Sequence, residues 1–198
     1  MALAADLPSV RDAALTTATS YPLPEAADLL VNYASGLPGD RDVREYRAAA
    51  RALIDIQDPT IVSTLIGLLA SPDPEIRGLA SEVLTRTTGI LPTVDWRQGS
   101  AEERRGALLI WRRWYLERQG DSQLEWLHEA FELAGYVIPE DLQGPDGVRA
   151  LARLISEPQP WGYIARATLL SITGQGAPPA RWSQQRQERY WLQIADEM

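Results

Sequence analysis

"PTIVSTLIGLLASPDPEIRGLASEVLTRTTG" (residues 59–89) reads as two helices joined by a tight turn. In its first half Ile61, Leu65, Leu68 and Leu69 fall at i, i+4, i+7 and i+8, one apolar face of a helix. The run Ser-Pro-Asp-Pro-Glu closes that helix and opens the next. Asp73 suits the N-cap, Pro74 the first helical position, and Glu75 the positive end of the helix dipole. Ile76, Leu79, Ala80, Val83 and Leu84 then share a face, and Gly89 follows as a residue free to adopt the left-handed conformation. The spacing predicts a helical hairpin whose apolar faces need further partners.

The pattern recurs on both sides. Upstream, "DVREYRAAARALIDI" (42–56) aligns with the second helix, Tyr46 on Ile76, Arg47 on Arg77 and Ala50 on Ala80. Downstream, "DGVRALARLISEPQPWGYIARATLLSITG" (146–174) repeats the whole hairpin at a shift of 85 positions. That shift sets Ser156 on Ser71, Ala165 on Ala80, Leu169 on Leu84 and Thr173-Gly174 on Thr88-Gly89. Each copy ends in Thr-Gly, a Pro-containing loop and a Trp, at Trp96 and Trp182. Helical units repeated in this way, none able to bury its own face, predict an all-α solenoid. Further helices are expected at 9–19, 24–35, 101–118, 122–134 and 181–196, nine or ten in all. Strand signals are nearly absent. We expect a single domain over 1–198, with an N-terminal block at 8–119 and a C-terminal block at 146–196. The stretch "GYVIPEDLQGPDG" (135–147) is the candidate hinge.

"LLASPDPEIRGLASEVL" (68–84) resembles a HEAT repeat of the bacterial type: a first helix ending in Leu-Leu, an Asp/Pro turn, then apolar-Arg and a spaced Ala and Leu. The resemblance is good over 42–89, fair over 146–174 and weak elsewhere. The second copy departs from it where Trp161-Gly162 replace Ile76-Arg77. The resemblance implies a short right-handed α-solenoid whose second helices line a concave face. Arg51, Glu82, Tyr163 and Arg166 are the non-core positions there. It also implies that Arg47 and Arg77 form a ladder with acidic neighbours in the next repeat, since a partly desolvated Arg seeks a carboxylate fork.

Composition narrows the function. The 198 residues carry 27 acidic against 19 basic side chains, a net charge of −8, and every basic residue is Arg. Such a chain repels phosphate backbones and anionic membranes, so nucleic acid is not an expected partner. No apolar run approaches the roughly 20 residues that cross a bilayer. "EERRGALLIWRRWYLER" (102–118) is the only dense basic stretch, and its Glu residues predict internal ion pairs on a solvated helix face. The N-terminal "ALA" before "ADLP" has the look of a cleaved signal remnant, which leaves a periplasmic or a cytoplasmic location open.

Catalytic vocabulary is thin. Without Lys there is no Schiff-base or P-loop lysine, and without Cys no thiol nucleophile or thiolate metal site. "GQG" (174–176) follows a helix rather than a strand and so does not mark a dinucleotide site. The single His, His128, shares one helix face with Glu125, Glu129 and Glu132, a set able to hold a metal. No second Glu-x-x-His completes a bundle-type di-metal site, so no metal and no cofactor are expected. The expected reading is instead a solvated outer face, with Leu124, Leu127 and Phe131 buried opposite. All seven Trp lie at or beyond position 96, where helix seams are the default and interfaces the alternative.

These observations point to a non-enzymatic protein-interaction module with a basic protein partner. Two alternatives stay open. HEAT-like proteins include lyases acting on linear tetrapyrroles, and an acidic chain of this size also suits an inhibitor or immunity-type protein.

Overall fold

The computed structural model describes residues 59–198, together with Ala13, Ala14 and Thr17. These last three are helical, and Thr17 Oγ1 donates to Ala13 O at 2.8 Å. The rest of the expected 9–19 helix, the helices at 24–35 and 42–56, and with them Arg47 and Arg51, lie outside the described residues. Among those described, all regular structure is helical. The chain divides into two compact units, Met1–Gly120 and Asp121–Met198.

In the first unit a short 3-10 turn, Pro59–Ile61, leads into α1 (Val62–Leu68), followed by α2 (Pro74–Thr88) and α3 (Ala101–Arg118). The turn between α1 and α2 is built as its residues dictate. Asp73 Oδ1 accepts from Glu75 N at 2.8 Å, and Pro74 occupies the first turn, where its missing N–H costs nothing. Ile61, Val62, Leu65, Ile66 and Leu69 on one side and Ile76, Ala80, Val83 and Leu84 on the other are buried, and the two helices pack together. The expected faces are present with two shifts, for Leu68 and Leu79 are only half-buried. α2 is buried on nearly every side, Arg77, Ser81, Thr85, Thr87 and Thr88 included. It stops at Gly89, which turns left-handed at φ 75°. α3 opens on a capping box, with Ser100 N donating to Glu103 Oε2 at 2.8 Å and Glu103 N to Ser100 Oγ at 3.2 Å.

The second unit consists of α4 (Gln123–Leu133), α5 (Pro145–Leu154), α6 (Trp161–Thr173) and α7 (Gln184–Glu197). α5 is its centre and packs against both α6 and α7. Val148, Leu151, Ala152 and Ile155 meet Ile164, Ala165, Leu169, Trp191 and Ala195 in one core that also takes in Leu127 and Phe131. The 135–147 stretch lies inside this unit, and its Ile138 and Leu142 are part of the same core. Gly147 lies where the loop backbone crosses the start of α5. A Cβ there would overlap the backbone of Asp141 and Leu142.

The doubled phrase folds twice into the same cap. Thr88 Oγ1 donates to Leu84 O at 2.7 Å and accepts from Ile90 N at 3.2 Å. Thr173 Oγ1 donates to Leu169 O at 2.7 Å and accepts from Gln175 N at 3.3 Å. Gly89 and Gly174 both take positive φ, at 75° and 62°. One threonine hydroxyl thus gives a last-turn carbonyl a second donor and accepts from the amide just past the glycine that reverses the chain.

Candidate functional site

Arg77 corrects one expectation. Its guanidinium does not join an acidic ladder; it is buried and spends its donors on main-chain carbonyls. Nε donates to Trp96 O at 2.8 Å, and Nη1 to Ser71 O at 2.8 Å and Pro72 O at 2.9 Å. A longer bond joins Nη2 to Arg97 O at 3.3 Å. Burial disfavours its charge, as does nearby Arg104, while Asp73 favours it. Arg77 therefore ties the α1–α2 turn to the loop that follows α2.

The second unit solves the same problem differently. At the equivalent position Gly162 has no side chain, and a Cβ there would collide with the carbonyl oxygens of Glu157 and Ile155. The turn lies directly on the helix. Trp161, in the place of Ile76, fills an aromatic cluster with Phe131 at 5.4 Å and Tyr136 at 5.7 Å between ring centroids. Tyr136 Oη donates to Glu157 Oε2 at 3.3 Å, and burial first, then Glu157, raises the phenol's pKa.

The residues expected to face a partner are placed as follows. Glu82, half-exposed on α2, pairs with Arg86 at 2.9 Å. Tyr163 and Arg166 are half-buried on α6, where Arg166 Nη2 makes a long bond of 3.5 Å to Ile155 O. In the basic stretch of α3, Arg113 pairs with Glu117 at 2.8 Å, an internal ion pair of the expected kind. α3 buries only Ala107 and Trp111 and leaves Leu109, Ile110 and Leu116 exposed.

The face of α4 that carries His128 opens onto a hollow of about 470 Å³. Leu124, Ile138 and Leu142 give it an apolar wall, and Glu125, Glu132, Glu140 and Asp141 give it carboxylates. Glu125 is committed elsewhere: Ser122 N donates to its Oε2 at 2.6 Å in a second capping box, which lowers its pKa. Asp141 Oδ1 accepts from Gln143 N at 2.9 Å and Gly144 N at 3.1 Å. His128 Nδ1 stands 3.7 Å from Glu132 Oε2, and its Nε2 is buried with no hydrogen-bond partner. Among the described residues no three His, Asp or Glu side chains converge as a metal cluster. No Arg occurs between Asp121 and Val148, so nothing within this segment neutralises the hollow.

A second hollow, of about 400 Å³, runs along α7 between Trp182, Ser183, Arg186, Arg189, Tyr190 and Gln193. Sequence reading missed it, although Trp-Ser-x-x-Arg-x-x-Arg-Tyr is the spacing of one helix face. No family model, curated protein or solved structure matches the chain. Among the described residues no helix is long and apolar enough to cross a membrane.

Proposed function

We propose that this chain is a non-enzymatic, HEAT-like helical-repeat module that binds a basic segment of a protein partner. The reading keeps the right-handed solenoid of nine or ten helices implied by the repeat, with Arg51, Glu82, Tyr163 and Arg166 on its concave face. The twin Thr-Gly caps support the repeat, and the acidic hollow beside α4 carries the function. Its volume falls in the range of small-ligand sites, about 300–1,000 Å³. Its mixed lining suits an Arg or Lys side chain, whose stem covers apolar wall while its charged head meets Glu132, Glu140 and Asp141. An enzyme reading finds no comparable support in these residues.

The test is binding of a fluorescent Arg-rich nonapeptide to the full chain, followed by anisotropy. Affinity should drop at least about tenfold when Glu132→Gln, Glu140→Gln and Asp141→Asn are combined. A control combining Glu102→Gln, Glu188→Gln and Glu197→Gln removes the same charge elsewhere and should cost far less. Equal losses from the two sets would mean that only the net charge attracts the peptide, and the hollow would lose its role.

A further inference from the structure

We infer that the hollow along α7 is a binding site for a phosphate monoester, held by Arg186 and Arg189 on a prearranged aromatic platform. The platform comes first. Trp182 N donates to Pro179 O at 2.9 Å, and Gln187 Nε2 donates to Trp182 O at 3.1 Å, so the backbone under the indole is fixed on both sides. Tyr190 meets the indole edge-on at 6.1 Å between centroids, and its own ring lies 4.9 Å from fully buried Trp191. Tyr190 Oη completes the wall by donating to Gly176 O at 3.1 Å.

Arg186 sits over this platform, its Cζ 4.0 Å from the Trp182 ring centroid. A cation held by a π-face needs no N–H to stay there, so the guanidinium keeps its donors for a ligand. Arg189 lines the same hollow one turn on. Neither Arg makes an ion pair among the described residues, whereas Arg149 in the same unit is clamped by Asp146 at 2.9 Å and Asp196 at 2.8 Å. Two like charges three residues apart on one helix repel each other, and an anion between them removes that cost. Ser183 adds a hydroxyl, which accepts from Arg186 N at 3.4 Å and retains its own proton to donate.

The donor count selects the ligand. A carboxylate brings one negative charge to two guanidinium groups and leaves one of them uncompensated. A phosphate monoester, with a charge of about −1.5 to −2 and three strong acceptor oxygens, uses all three groups. The hollow of about 400 Å³ admits such a group with part of its ester substituent. The site is separate from the acidic hollow beside α4, and its test does not depend on that one.

The experiment follows the Arg Nε–Hε signals of the full chain by ¹⁵N NMR as sodium phosphate, phosphoserine or adenosine monophosphate is added at fixed ionic strength, with sodium acetate as a comparison. Arg186 and Arg189 should shift saturably with phosphate, while exposed Arg153 on α5 stays still. Arg189→Gln should weaken the Arg186 response by about tenfold with an unchanged helical spectrum. Whichever of the two esters binds more tightly identifies the substituent, and parity with inorganic phosphate makes the free ion the ligand. Equal shifts at Arg153, or acetate binding as tightly as phosphate, would overturn the assignment.

Discussion

At the scale of single residues, Arg77 and Gly162 show two ways to finish one joint. In the first hairpin an arginine on α2 reaches three carbonyls within 2.9 Å, two in the turn before the helix and one in the loop after it. In the second, glycine lets the turn carbonyls close directly on the helix. The sequence alignment set these residues opposite each other, but it could not show that the loop at 95–97 returns over Arg77. A carboxylate ladder was therefore the expectation. Charge-assisted bonds to buried carbonyls are worth about 1.5–3 kcal/mol, and orphaned carbonyls add a desolvation cost. Arg77→Met should thus lower stability by about 3 kcal/mol, read from the urea midpoint. Arg77→Lys should recover little of it, because one ammonium cannot fork between Trp96 O and the Ser71–Pro72 turn. Full recovery by Lys would show that charge alone matters there.

At the scale of elements, helix ends were the most legible features, because three or four adjacent residues specify each one. Asp73-Pro74, Thr88-Gly89 and Thr173-Gly174 fold as their chemistry requires. Ser100 and Ser122 carry the same kind of signal, a Ser-x-x-Glu capping box, and it reassigns Glu125 from candidate metal ligand to helix cap. Side-chain partners across elements were less legible: the acidic face of α4 was visible in its spacing, but Glu140 and Asp141 reach it from a loop. The capping box also sets a pH dependence. The backbone N–H of Ser122, and then its hydroxyl, hold the Glu125 carboxyl below the ordinary glutamate range. A depressed folded-state value means that the stabilisation is complete above the ordinary glutamate pKa and is lost as pH falls through the folded one. Ser122→Ala removes the hydroxyl but keeps the backbone N–H, so it should move the Glu125 titration, followed by carboxyl ¹³C NMR, only part of the way toward the ordinary range. An unmoved midpoint would show that the hydroxyl has no share in the shift, and a complete return would show that the backbone N–H has none.

At the scale of the whole molecule, the recurrence of one hairpin made the helical character of the described residues readable, because periodicity and punctuation repeat together. Grouping into compact units is harder to read, since Pro and Gly interrupt helices whether or not the loop between them is anchored. The 135–147 loop is anchored: Ile138 and Leu142 are buried beside Phe131 and Leu151. The Asp121–Met198 unit therefore owns a continuous core, closed by Trp191, which is fully buried between α7 and the rest. A core of its own is the condition for folding alone. The fragment 121–198 should melt cooperatively by circular dichroism, with a stability of about 4–12 kcal/mol for its length. Trp191→Ala should cost it about 3–5 kcal/mol, read as a clearly lower midpoint of that transition. A fragment that melts without a cooperative transition would show that the core needs the first unit. A Trp191→Ala fragment as stable as its parent would show that α7 is not what closes the core.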